Sequence, residues 1–296
     1  VPTRGLSLVG FLDPAAALAH LRNACVPAAG ATDASLLADW QQAKQRLGAP
    51  PVRNPGTPRT TPLPAEAAAY ATQLQELRWV NEIMHLFGAT AQFMMVEVDA
   101  LLAFQLAVDI DRSSHHCSGL SKPPTLDELL RLCLPQSTLP EPVHVTRGQN
   151  SMLIKARSLN MMARQEMVED VQDRLVVTEN GFFQPQGLAG IVVGASAPLV
   201  NVARWNERLY LSNGFHRVYG ARIAGATEVP CLVRDVAHPS HAGILENGGT
   251  FSEARLTAPD PPTVAHFTQG RAFPVQIRRF VRLMNVSWSV CTVADE

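Results

Sequence analysis

The sequence predicts an α/β or α+β fold: a mixed sheet with helices, a helical N-terminal region and a strand-rich C-terminal extension. Three observations predict it. Apolar residues in the first third recur at helical spacing behind capping residues, the period shortens to two at "AQFMMVEVD", and strand-like and helix-like stretches alternate through the second half. With 296 residues, 46% of them hydrophobic and 17% charged, the chain can bury a sizeable core as one large or two ordinary domains.

The elements follow in order. "DPAAALAHLRNAC" offers Asp13 as a helix N-cap, Pro14 at the first helical position and Leu18 and Leu21 on one face. "TDASLLADWQQAKQRLG" repeats the pattern, with Thr32 or Asp33 as cap and Gly48 as stop. Residues 49–64 form a proline-rich irregular connector. "AEAAAYATQLQELRWVNEIMHLFG" is one long helix or a pair, ending at Gly88. In "MMVEVD", Glu97 and Asp99 share one strand face while Val96 and Val98 share the other. "ALLAFQLAV" fits strand or helix equally. "DIDRSSHHC" reads as a polar loop, and "TLDELLRLCL" as a short helix with a Thr125–Glu128 capping box.

"PVHVTR" and "SMLIKA" predict a strand pair across "GQN". "LNMMARQEMVEDVQDRLVVT" predicts a helix with Met161, Met162 and Met167 filling its buried face. Strands over 199–204 and 208–211 flank a tight turn at Trp205-Asn206-Glu207. A helix then runs from His216 to a stop at Gly225, and "EVPCLVRDV" is a last buried strand. The tail from 261 reads as strands and loops. This organisation gives a helical region over 1–89, a core over 90–237 and an extension over 238–296 packed on that core.

Composition narrows the class. A formal net charge of −1 offers no general attraction to nucleic acid or anionic membrane, so such binding would need a local patch such as Arg271, Arg278, Arg279 and Arg282. Five widely spaced cysteines, with no C-x-x-C pair, suit reduced thiols in a cytoplasmic protein. No run of 18 apolar residues is present, which predicts no membrane span. The N-terminal apolar stretch reads through Asp13 and Pro14 into a helix, unlike a secretory leader.

The stretch with the most chemistry is "RLYLSNGFHRVYGARIAG", residues 208–225. A strand runs into Asn213-Gly214-Phe215-His216-Arg217 at a helix start. Glycine lets the backbone turn sharply, and the helix start offers N–H groups and a positive dipole end. Basic residues in a first turn oppose that dipole, and a bound anion would offset them. Arg217 suits a phosphate or carboxylate fork, and His216 suits donation or proton transfer near neutral pH. A strand–turn–helix with one glycine and a solvated arginine accounts for the same residues.

Residues 198–233 resemble the ParB/sulfiredoxin superfamily. The likeness is carried by Pro198-Leu199-Val200, Arg208-Leu209-Tyr210-Leu211, Asn213-Gly214-Phe215-His216-Arg217, Ala224-Gly225 and Val229-Pro230, in family order. Residues 96–105 are similar to the family's first strand. The resemblance implies a ParB/sulfiredoxin-like core and a nucleotide or other phosphorylated ligand at Asn213, Gly214, Phe215, His216 and Arg217. A nucleoside triphosphate with Mg²⁺ is the implied cofactor, with hydrolysis or phosphoryl transfer as the implied chemistry. Phe215 stands where sulfiredoxins carry their reactive cysteine, so sulfinic acid reduction is not expected. No helix-turn-helix follows residue 236, which argues against chromosome partitioning.

Other clusters carry weaker signals. Glu97 and Asp99 are candidates, with His216, for general base or metal ligand opposite the anion loop; a solvent-facing strand edge is the alternative. Asp109, Asp111, His115, His116 and Cys117 crowd together, but adjacent histidines point apart, so no metal site is expected. Asp109 and Asp111 could instead hold a hydrated Mg²⁺. His238 and His241 fall in a glycine-rich stretch that reads as a surface loop or lid, and Cys231 as inert core. Two further readings stay open: a non-catalytic module whose N-terminal helices meet a protein partner, and a nuclease placing Arg278 and Arg279 on DNA.

Overall fold

In the computed structural model the described residues are 1–48, 59–103, 105–137, 143–156, 161–168, 176–178, 181–183, 188–195, 198–238, 251–280 and 282–287. Their elements, in chain order, are β1 (Thr3–Ser7), α1 (Pro14–Asn23), α2 (Asp33–Leu47), β2 (Thr60–Pro62), α3 (Ala68–Glu76), α4 (Arg78–Phe87), β3 (Gln92–Glu97), β4 (Ala107–Asp109), α5 (Ile110–His116) and α6 (Leu126–Cys133). There follow β5 (Val143–Arg147), β6 (Ser151–Ala156), β7 (Met161–Val168), β8 (Val176–Thr178), β9 (Gly181–Phe183), β10 (Leu188–Ala195), β11 (Asn201–Trp205), β12 (Arg208–Asn213), α7 (Phe215–Ile223), β13 (Glu228–Asp235), α8 (Glu253–Thr257), α9 (Val264–Thr268), β14 (Phe273–Ile277) and β15 (Arg282–Ser287). The fold is mixed α/β.

Two compact units share the chain: Val1–Ser137 with Pro198–Arg279, and Thr138–Ala197 with Phe280–Glu296. This partition differs from 1–89, 90–237 and 238–296, and strand pairing is the reason. β1 pairs with β14 (Thr3 opposite Ile277) and with β4, so the N-terminal segment and residues 273–277 are knit into one sheet. The segment 138–197 stands as part of a separate unit.

In the first unit a five-stranded sheet has the order β12-β11-β13-β3-β2, with β11 and β13 parallel and the other pairs antiparallel. The β11–β12 hairpin closes on Asn206 (φ 48°) and Glu207 (φ 62°). Two left-handed residues in a row match the twist of the flanking strands, as the tight turn expected there requires. Val96, Val200, Tyr210, Leu211, Val218, Leu232 and Cys231 are all essentially inaccessible and belong to one core; α1 and α2 cover a smaller one around Val9, Leu21 and Leu36. In the second unit β15-β6-β5 form a sheet, β7 pairs with β10 and β8 with β9.

Local capping signals hold. The Asp13 carboxylate accepts from the Ala16 N–H, Thr32 and Thr125 each anchor a capping box, and α4 ends at Gly88 with φ 76°. Three expectations are corrected. β1 is a strand inside the predicted helical region. "DIDRSSHH" forms α5 rather than a loop, because Asp109 caps it (Arg112 N–H to Oδ1, 2.8 Å) and its Ser113 is buried against α7. Met161–Val168 is strand β7, paired over eight residues with β10, so a partner remote in sequence overrides the local helical pattern. The side chains of Met161, Met162 and Met167, together with residues 239–250 containing His241, lie outside the described ones.

Candidate functional site

The segment singled out by sequence lies where β12 ends and α7 begins. Gly214 caps α7 with φ 97°, and no side chain caps the helix there. A methyl group at Gly214 would stand 2.7 Å from Val200 Cγ2, so glycine is demanded twice, by its dihedral and by the packing of α7 on the segment before β11. Phe215 is 3% exposed and belongs to the core. Asn213 donates from Nδ2 to the Leu199 carbonyl (3.2 Å). Three of the five predicted contact residues therefore have clear architectural roles.

Arg217 departs furthest from expectation. Its Nη1 donates to the carbonyls of Leu132 (3.1 Å) and Pro198, tying the end of α6 to the segment entering β11. Around it stand three thiols that burial keeps protonated: Cys117 is pushed up to about 11, Cys133 to about 12 and Cys231 well above the ordinary thiol range. Burial in turn lowers the pKa of Arg217. Through Nη1 the guanidinium braces two chain segments. Cys231 is core, as its apolar strand suggests.

What gathers at the head of α7 instead is a set of basic side chains from two helices. α5 packs on α7 at Gly220, where a methyl group would collide with Cys117 Sγ and approach the Ser113 carbonyl to 3.2 Å. From α5, Arg112 and His116 act electrostatically on His216. Arg112 Nε lies 3.5 Å from His116 Nε2. Burial and then the nearby Arg112 charge hold His216 down to about 4, with His116 and Arg217 adding to the effect and Asp109 opposing it. His116 is lowered by burial, Arg112, Arg217 and His115. Asp109 accepts from the Arg112 N–H through Oδ1 and from the Thr3 hydroxyl through Oδ2, and Asp111 accepts from Arg4. Neither carboxylate stands as an uncommitted Mg²⁺ ligand.

No family model, curated protein or solved structure matches the chain.

The acidic candidates lie elsewhere. Asp99 accepts two hydrogen bonds from Arg222 (Nε to Oδ1 and Nη2 to Oδ2, each 2.9 Å), in the last turn of α7. Arg222 lies six helical steps beyond His216, roughly 9 Å along the axis. Glu97 sits at that same far end, directly across from Glu228 in the β3–β13 ladder. Arg59, Glu97, Asp99, Thr227 and Glu228 line a cleft of about 270 Å³. The expected placement of Glu97 and Asp99 opposite the anion loop is thus corrected. β13 follows α7, so the strand that pairs with β3 starts at the tail of the helix rather than its head.

Sequence reasoning did not single out Arg112 or Glu228, and weighed His116 only as a metal ligand. "DIDRSSHHC" did hold two of them, but as a supposed loop it gave no reason to place them on His216. Among the described residues no group of three or more His, Cys, Asp or Glu is arranged to hold a metal ion. Of the arginine patch, Arg278 is engaged structurally: its Nε donates to the Cys25 carbonyl (2.7 Å) and its N–H to that of Ala24 (2.9 Å). No helix among the described residues is long and apolar enough to cross a membrane.

Proposed function

We propose that the chain binds a nucleotide or another phosphorylated ligand at the head of α7, with Arg112, His116 and His216 supplying the contacts. The observation that carries this reading is the close packing of α5 on α7 through Cys117 and Gly220, with the Arg112–His116 pair on α5 in electrostatic range of His216. Such a cluster is self-repelling, and an anion relieves it. The ParB/sulfiredoxin-like pattern of residues 198–233 supports a phosphate at the same loop. The reading is of a binding site: Glu97 and Asp99 stand at the tail of α7, and Asp109 and Asp111 already have protein partners. Hydrolysis or phosphoryl transfer with Mg²⁺ would need a base or metal ligand from outside this cluster. A nuclease reading would likewise need acidic residues from outside this cluster, and the Arg278 it would place on DNA donates to backbone carbonyls.

Thermal unfolding in ATP, CTP, GTP and their diphosphates, with and without Mg²⁺, tests the proposal. Ligand at one hundred times its Kd should add about 2.7 kcal/mol of stability. Arg112→Ala and His216→Ala should lose that gain while still melting cooperatively. No gain with any nucleotide at millimolar concentration would defeat the nucleotide reading. A second reading, docking of a protein partner on the N-terminal helices, draws on α4, where Leu86 is 80% exposed and Val80 is buried. Leu86→Lys would weaken such a partner and leave nucleotide binding untouched.

A further inference from the structure

We propose that the outer edge of β5 docks an extended, acidic segment of a partner protein, which joins the β15-β6-β5 sheet as a further strand. β5 stands at the end of the strand order, and among the described residues it pairs on one side only, with β6. Residues 144–147 are all exposed. Val145 keeps 51% of its surface although it shares a face with Ile154, which is 4% exposed. The strand VHVTR is β-branched at three of its five positions and holds no proline to block a neighbour.

The turn into β6 fixes which backbone groups this edge presents. The Gly148 N–H donates to the Ser151 carbonyl (2.8 Å), so these two residues form a hydrogen-bonded pair. Bonded and non-bonded pairs alternate along an antiparallel ladder. His144 and Thr146 therefore turn their peptide groups towards β6, while Val143, Val145 and Arg147 turn theirs outward.

Charge decides the occupant. The sequences of β5, β6 and β15 hold Arg147, Lys155 and Arg282 together with His144, and neither Asp nor Glu. His144 and Lys155 lie opposite each other on one face, and Arg147 falls on the other with Val145. A second copy of this chain would bring two basic edges together. A nucleic acid would find no aromatic ring in these strands on which to stack a base. An incoming strand with carboxylates opposite His144 and Arg147, and an aliphatic residue opposite Val145, meets both the charge and the exposed apolar surface.

Fluorescence anisotropy on the full chain tests this with the labelled peptide Glu-Thr-Val-Glu-Val, written to run antiparallel to residues 147–143. Saturable binding is expected, and the peptide Lys-Thr-Val-Lys-Val should not bind. Val145→Pro removes an outward N–H and none of the bonds to β6, and should weaken binding about tenfold. Methylating the backbone nitrogen of the peptide's central valine should weaken binding to the wild-type chain by a similar factor, with no change to the protein. Equal affinity of the methylated peptide would show attraction by charge alone and overturn the strand pairing. No saturable binding of the acidic peptide at millimolar concentration would overturn the proposal, and a dimer of the chain that dissociates in Val145→Pro would then assign the edge to a second copy.

Discussion

The two ends of α7 carry an arginine each, and the two arginines do opposite things. At the tail, Arg222 meets the Asp99 carboxylate with two parallel hydrogen bonds at a partly exposed surface, and at a helix C-terminus its charge agrees with the dipole. At the head, Arg217 lies among thiols and carbonyls, its charge opposes the dipole, and its bonds hold two chain segments together. A motif cannot distinguish these fates. The arginine of Asn-Gly-Phe-His-Arg has the spacing of a ligand-binding residue and the surroundings of a brace. Arg112 and His116 act on the same helix head from α5, a neighbour the motif does not contain.

The comparison breaks most directly at Arg217. Arg217→Ala leaves the Leu132 and Pro198 carbonyls without this donor inside the fold, and a loss of about 2–4 kcal/mol is expected in urea unfolding, without any ligand present. Lysine at 217 should recover part of the loss, since one nitrogen serves both carbonyls and an ammonium can donate to two acceptors. If Arg217→Ala unfolds like the wild type but fails to bind phosphate, the brace is refuted and the outward fork restored.

Gly214→Ala comes next. The side chain would be forced into a left-handed conformation and pressed on Val200, costing about 2–3 kcal/mol. Urea unfolding reads this loss, and an unchanged midpoint would show that the close packing on Val200 does not exist.

The glycine illustrates what can be read from sequence. That residue 214 needs glycine was legible from the strand running into a basic helix start, and so were the Asp13 and Thr125 caps and the β11–β12 turn. All depend on neighbours within a few residues. Val200 as the cause was not legible, nor was α5 against Gly220, nor Glu228 facing Glu97. Each of these needs a partner from a remote part of the chain. The same limit explains β7: a run that looks helical alone becomes a strand when β10 supplies its ladder. The resemblance pointed to Asn213 through Arg217 at the helix start, but Arg112 and His116, which act on His216 from α5, lie about a hundred residues earlier in the chain and outside its reach.

Acidification sharpens the contrast between the ends. His216 and His266 are each held near 4 in the folded chain, against 6.5 when unfolded. Their burial as neutral rings is fully tolerated above about pH 6.5. As pH falls from there towards 4, the unfolded chain binds protons that the folded one refuses, so stability is lost. A drop from pH 7 to 5 should cost on the order of 1–2 kcal/mol from His216. His216→Gln should flatten the profile by that share. Equal profiles for the two proteins would place His216 in water, away from Arg112.

The smallest effect is expected at the tail. Asp99→Asn keeps the shape of the side chain and removes its charge, so Arg222 retains a hydrogen-bonding partner but loses the ion pair. Both side chains are about 30% exposed (29% and 31%), so solvent and salt screen the pair. A loss of only about 0.5–1 kcal/mol is expected, shrinking further in molar salt. Nucleotide or sulfate binding at the head should not change, because the intervening helix and its packing are unaltered. A fall in anion affinity in Asp99→Asn, with normal stability, would mean that the carboxylate end reaches the ligand after all. The separation of the two ends, on which the binding-only reading depends, would then be wrong.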